Sequence, residues 1–101
     1  MYTFDELNAL VKAWAESKGL LVKENASKQM LKVMEEVGET AGAIAKQNRE
    51  AVIDGIGDSF VTLIILSYQL GLEPSDCLAA AWDEIKGRTG RTENGVFIKN
   101  Q

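Results

Sequence analysis

Helical spacing of apolar residues, interrupted by a single proline, is the feature that most restricts how this 101-residue chain can fold. Apolar side chains recur at every third or fourth position through most of the sequence, which is the period of an amphipathic α-helix. No repeat, low-complexity segment or linker divides the chain. The sequence therefore predicts one all-α domain over residues 1–101, a compact four-helix bundle with a short extended C-terminal tail from Gly95 to Lys99.

Capping residues and glycines mark where each of the four helices begins and ends. Thr3 followed by Glu6 is a capping-box pattern, and Pro74 suits the first turn of the last helix. The predicted helices run from Thr3 to Gly19, from Asn25 or Ser27 to about 46–48, from about Glu50 to Leu70 with Gly71 as the stop, and from Pro74 to Ile85.

The third predicted helix is apolar almost all round between Phe60 and Leu66. A helix of this character is buried on several sides. Because so short a chain has little else to cover it, we expect a neighbouring subunit, and hence a homodimer or a dimer of dimers. Trp14 and Trp82 lie on apolar stripes and are expected mainly in the core.

The composition removes several kinds of chemistry. The chain has no histidine and one cysteine, Cys77, which excludes His-based catalytic triads, His-ligated zinc and an internal disulfide. Fifteen acidic against eleven basic residues argue against nonspecific nucleic-acid binding. No uninterrupted apolar run approaches the roughly 20 residues that span a bilayer, and the N-terminus does not resemble a signal peptide. A cytoplasmic protein is the expectation.

Three carboxylates of the second helix, Glu35, Glu36 and Glu39, fall within about one turn, and Lys32 lies in the same arc. Like charges so close repel each other and need solvent, bases or a cation to offset the cost. The simplest interpretation is a solvated acidic face opposite the apolar stripe.

A second acidic pair favours a site instead. Asp54 and Asp58 share one face of the most apolar helix, beside Gly55 and Gly57, although aspartate and glycine are poor helix formers. If the second and third helices pack antiparallel, these aspartates face the glutamates, and the glycines allow close approach or serve packing alone. Such an all-oxygen ligand set suits Mg²⁺, or else Mn²⁺.

With these residues the chain resembles a MazG-like nucleotide pyrophosphohydrolase of the all-α NTP pyrophosphatase superfamily, in its small phage-type form. Glu35-Glu36-Val37-Gly38-Glu39 matches the family's E-E-x-x-E, and Asp58 matches the last residue of its E-x-x-D. The segment from Ala81 to Arg91 resembles the ending of small members. The family has Glu where this chain has Gly55, and Asp54, which shares a face with Asp58, is the candidate substitute.

The resemblance implies metal-dependent hydrolysis of (deoxy)nucleoside triphosphates to the monophosphate and pyrophosphate. It implies that Glu35, Glu36, Glu39 and Asp58 hold the metal, with Asp54 as a further ligand, and that more than one chain lines each site. Glu36 is the candidate base that accepts a proton from the attacking water.

Four cations are candidate phosphate contacts. Lys86, Arg88 and Arg91 follow the last helix in a glycine-punctuated segment, where they also suit a helix C-terminus and a soluble tail. Lys32 serves either as a phosphate contact or as a helical partner of Glu36. Two other functions remain open: a non-catalytic helical interaction module of the same fold, and the same chemistry on an alarmone or a modified nucleotide.

Overall fold

A computed structural model describes all 101 residues and confirms the four predicted helices. A short 3₁₀ turn over Lys23–Asn25 precedes the second helix, and two strands follow the fourth. The elements are α1 (Phe4–Ser17), α2 (Ala26–Ala45), α3 (Arg49–Gln69), α4 (Pro74–Ile85), β1 (Gly90–Glu93) and β2 (Val96–Lys99).

The start of α1 and the ends of α1 and α3 lie where the sequence predicts them, whereas Asn25, the predicted cap of α2, makes no side-chain capping hydrogen bond. The Glu6 amide donates to Thr3 Oγ1 at 3.1 Å, and the Thr3 amide donates to Glu6 Oε1 at 3.3 Å, which completes the capping box. Gly19 and Gly71 follow α1 and α3 with φ of +70° and +73°, in the left-handed region that glycine adopts without strain. These positions fix the lengths of α1 and α3.

The C-terminal tail is a β-hairpin rather than the single extended segment predicted. β1 pairs antiparallel with β2, and Gly90 lies opposite Lys99. The turn is Asn94-Gly95, with φ of +51° and +78°, and two such residues form the tight turn whose twist matches the strands. The Asn94-Gly95 pair is the sequence signal for this hairpin.

α2 and α3 pack antiparallel and form the body of the molecule. The Gln29 side-chain amide donates to the Thr62 carbonyl at 3.1 Å near one end of the pair. Towards the other end, the buried Gly55 lies against Thr40. α1 packs on α3, with the rings of Phe4 and Phe60 edge to face at 6.2 Å.

The chain is less compact than predicted. Its radius of gyration is 15.8 Å, whereas about 13 Å is typical of a 100-residue domain. Its accessible area is 7795 Å², about 2,200 Å² more than the area–mass relation gives for a compact monomer of 11.0 kDa. α4 packs mainly against α3 and buries no residue. Single chains therefore leave much of their apolar surface uncovered.

The apolar surface of α3 shows this most clearly. Gly55, Ile64, Ile65 and Gln69 are its buried residues, while Phe60 and Leu63 are half exposed. By length and composition, α3 is also apolar enough to cross a membrane. The uninterrupted apolar runs in the sequence did not indicate this, because charged residues divide them. Trp14 and Trp82, expected mainly in the core, are 51% and 58% exposed.

Candidate functional site

The antiparallel pairing of α2 and α3 brings the two acidic groups together. Contacts between Gln29 and Thr62 and between Thr40 and Gly55 fix the register, and interpolation places Glu36 opposite Asp58. Glu36 is half buried, while Glu35, Glu39 and Asp58 are exposed at its margin. The fold therefore brings these four carboxylates to one region of the α2–α3 pair.

Electrostatic crowding is strongest at Glu36. Desolvation, followed by the charges of Glu39, Asp58 and Glu35, raises the pKa of Glu36 above its ordinary value, and Lys32 acts in the opposite direction. Its Oε2 atom is buried without a hydrogen-bond partner. A buried carboxylate oxygen without a donor is the atom in this cluster that most needs a cation or a proton.

Lys32 is the cation that the structure brings to this cluster. Its Nζ lies 3.5 Å from Glu35 Oε2, and both side chains are more than half exposed. An exposed pair of this kind contributes little to stability. Lys32 is therefore free to turn towards an anion bound at the carboxylates at small cost.

Asp54 shares a face with Asp58, as predicted, but lies one helical turn farther from Glu36. It is not among the charges that raise the pKa of Glu36. Instead, Asp54 and Asp58 both line a cleft of about 550 Å³ between α1 and α3, whose other walls are mostly apolar. The two aspartates thus connect the carboxylate cluster with an apolar cleft.

Gly55 has a packing role where α3 meets α2. A Cβ atom at this position would lie 3.0 Å from Thr40 Cβ and closer still to its hydroxyl. A glutamate there has no room unless α2 and α3 separate. Nothing lies within 4 Å of a Cβ atom at Gly57. Gly55 therefore allows α2 and α3 to approach each other closely, whereas Gly57 takes no part in that contact.

The donor set fits a hard divalent cation in its chemistry. All four clustered groups are carboxylates, and Glu36 Oε2 has no partner within the chain. The side chains as placed do not form a closed cage, since no three acidic groups converge closely enough to hold a metal ion. Binding therefore requires the exposed Glu35, Glu39 and Asp58 side chains to turn inward.

The other three predicted phosphate contacts lie elsewhere. Lys86 pairs with Asp83 at 3.0 Å and Arg88 with Glu84 at 2.9 Å, while Arg91 pairs with Glu93 within β1. None of these cations pairs with a carboxylate of α2 or α3. Within one chain, the structure assembles the carboxylates with Lys32 and leaves Lys86, Arg88 and Arg91 apart.

A polar network at the α1–α3 contact was not predicted from the sequence. The Tyr68 hydroxyl donates to Glu73, and burial together with this bond raises the pKa of Tyr68, while Lys12 Nζ lies 4.7 Å from the ring centroid. Asn8 and Gln69 are buried beside it, and each has an oxygen without a partner. Asparagine and glutamine within apolar stripes were the available signal.

Comparison with known proteins finds a phage relative. An uncharacterized 18.2 kDa protein from the rep–hol intergenic region of Haemophilus phage HP1 (strain HP1c1) is 36% identical over 69 residues. The match covers 68% of this chain and 42% of the relative, so the chain corresponds to less than half of that protein. No protein-family model matches the chain, and no solved structure matches it.

The raised pKa of Glu36 predicts a pH dependence of stability in metal-free solution. The native state holds the Glu36 proton more tightly than the unfolded state, whose pKa is near 4.5. The stability from this group is therefore complete below about pH 4.5 and is lost as pH rises through the raised native value. We expect melting curves in EDTA to show that Glu36→Gln gains stability relative to wild type as pH rises from 4 to 7. A pH-independent difference would contradict this assignment.

Proposed function

We propose that this protein is a metal-dependent nucleoside triphosphate pyrophosphohydrolase, which releases a (deoxy)nucleoside monophosphate and pyrophosphate. The strongest support is that Glu36 lies near Glu35, Glu39 and Asp58 at the α2–α3 pair. One carboxylate oxygen of Glu36 is also buried there without a hydrogen-bond partner. This set of carboxylate donors suits Mg²⁺, and Mn²⁺ is the alternative.

Each residue has a defined task in this proposal. Glu35, Glu39 and Asp58 hold the metal together with Glu36, and Asp54 serves as an outer ligand at the rim of the α1–α3 cleft. When bound, the cation neutralises phosphate charge and acidifies a coordinated water. Glu36 accepts the proton of the attacking water, a role that suits a carboxylate with a raised pKa. Lys32 contacts a phosphate oxygen.

The cleft between α1 and α3 is the proposed binding site for the nucleoside. Its volume of about 550 Å³ lies within the range of small-molecule sites, and Phe4, Leu7 and Phe60 give it apolar walls. Asp54 and Asp58 lie at the same cleft, so a nucleoside there would have its phosphates beside the carboxylates. The same arrangement accepts an alarmone or a modified nucleotide.

The protein is proposed to work as a homodimer or a dimer of dimers in the cytoplasm. The uncovered apolar surface of a single chain supports oligomerisation, and the exposed thiol of Cys77 suits a reducing compartment. Lys86, Arg88 and Arg91 remain candidate phosphate contacts that a neighbouring chain would supply.

A non-catalytic interaction module is the second candidate. It is favoured by Gly55, which leaves no room for the family's glutamate, and by the open arrangement of the carboxylates. A protein of this kind would keep the fold and the acidic surface without turnover.

Thermal unfolding with metal and nucleotide separates these two functions. We expect the melting temperature to rise with millimolar Mg²⁺ and to rise again with a nonhydrolysable nucleoside triphosphate, because ligands that bind only the native state stabilise it. Glu36→Gln should lose most of both shifts, whereas Glu16→Gln, at an exposed position on α1, should retain them. Absence of any shift in wild type would favour the interaction module.

A further inference from the structure

The apolar side of the α2–α3 pair forms a groove that nothing in the chain covers. Val37, Ala41, Ile44, Ile56, Phe60 and Leu63 line about 360 Å³ of open space. At 100° per residue, these side chains lie on one flank of the Thr40–Gly55 contact, and Glu39 and Asp58 lie on the other. The groove therefore faces away from the carboxylate cluster, and an occupant would leave that cluster open.

The chain also carries a helical ridge without a partner. The arm, defined as α4 with the β1–β2 hairpin, residues 74–99, presents Leu78, Trp82 and Ile85 at 65%, 58% and 48% exposure. These positions lie on one face of α4, at the spacing by which an amphipathic helix enters an apolar groove. From Leu78 to Ile85 the ridge is about 10 Å long, and Val37 to Ile44 and Ile56 to Leu63 span the same length.

We propose that the arm of one chain packs its Leu78–Trp82–Ile85 ridge into the apolar α2–α3 groove of a second copy, and that the second copy does the same in return. This reciprocal exchange is two-fold symmetric, so it covers both grooves and both ridges and closes at a dimer. The proposal concerns assembly and does not depend on catalysis.

Surface area and charge both favour a second copy as the occupant. The area that each chain exposes beyond a compact monomer, about 2,200 Å², is what an obligate homodimer buries per chain. The arm carries four cations and four carboxylates and is neutral, while residues 1–73 carry a net −4. Contact between a neutral arm and the acidic body of its partner therefore avoids much of the repulsion that contact between two acidic bodies would cause.

Cysteine trapping tests both the contact and the chain that supplies it. In a Cys77→Ser background, we expect a chain with Ala41→Cys in the groove and Ala81→Cys on the ridge face to form a covalent dimer under mild oxidation. Differently tagged Ala41→Cys and Ala81→Cys chains, when coexpressed, should form a cross-linked heterodimer. Each single variant alone, and the control that pairs Ala41→Cys with Ala80→Cys on the opposite face of α4, should remain uncrosslinked.

Three results would overturn the proposal. Cross-linking of Ala41→Cys alone would show groove-to-groove contact, and a bridge within a monomer would show that the arm covers its own groove. A monomeric mass for wild type in light scattering would rule out exchange.

The ridge itself gives a second, non-covalent measurement. Trp82→Ala should raise the dimer dissociation constant about 30-fold or more, as for a buried aromatic anchor, while circular dichroism retains the helical signal. An unchanged dissociation constant would exclude Trp82 from the interface and contradict the proposal.

Discussion

Glu36→Gln is expected to lower kcat by about 10²- to 10⁴-fold, the range that general acid–base catalysis contributes. Glutamine keeps the size of the side chain but neither accepts a proton nor carries a charge for the cation. The same variant should melt at a higher temperature in EDTA at neutral pH, since desolvation and the surrounding carboxylates both disfavour ionised Glu36. Steady-state kinetics and metal-free melting, measured on the same preparation, test the two effects together.

A lower kcat together with a higher metal-free melting temperature distinguishes a functional carboxylate from a structural one. Glu16→Gln, at an exposed position outside the cluster, is the matched control and should leave kcat within about two-fold of wild type. Loss of both stability and activity in Glu36→Gln would mean that Glu36 supports the fold, and full activity would place the base elsewhere.

Gly55→Ala should destabilise the protein by about 1–3 kcal/mol, the usual cost of overpacking a tight contact. The added methyl group would lie 3.0 Å from Thr40 Cβ and 3.2 Å from its Cα, so α2 and α3 would have to move apart. Because Glu36 and Asp58 lie on these two helices close to the contact, the variant should also weaken the Mg²⁺-induced rise in melting temperature. Urea unfolding gives the free energy, and melting with metal gives the second effect.

Gly57→Ala is the control two residues away on the same helix. No atom lies within 4 Å of its Cβ position, so the gain in helix propensity, up to about 1 kcal/mol, should appear without a packing cost. Equal free energies of unfolding for the two variants would refute the tight α2–α3 contact at Gly55.

Helix periods and capping residues were sufficient to predict the helices. Thr3, Gly19 and Gly71 mark the helix ends because their side-chain or backbone chemistry acts locally. Burial was not predictable in the same way. Val33 and Trp82 both lie on apolar stripes, yet Val33 is 5% exposed and Trp82 58% exposed, because a stripe does not specify whether its cover comes from the same chain.

Helix geometry was enough to predict which carboxylates of the candidate site share a helix face. The positions of Glu35, Glu36 and Glu39 on one arc, and of Asp54 and Asp58 on another, follow from the 3.6-residue turn. Their pairing required the register of α2 on α3, which depends on Gly55 lying against Thr40 and has no local signature. The same limit applies to Arg88, whose pairing with Glu84 on α4 could not be distinguished from a phosphate contact by spacing alone.

A product-resolved nucleotide assay tests whether the protein is a nucleoside triphosphate pyrophosphohydrolase. Purified protein would be incubated with each NTP and dNTP and Mg²⁺, then with Mn²⁺, and the products separated by ion-exchange chromatography. We expect equal amounts of nucleoside monophosphate and pyrophosphate from at least one substrate, and the loss of both products in Glu36→Gln. No product with any substrate and either metal, or diphosphate with inorganic phosphate instead, would contradict it.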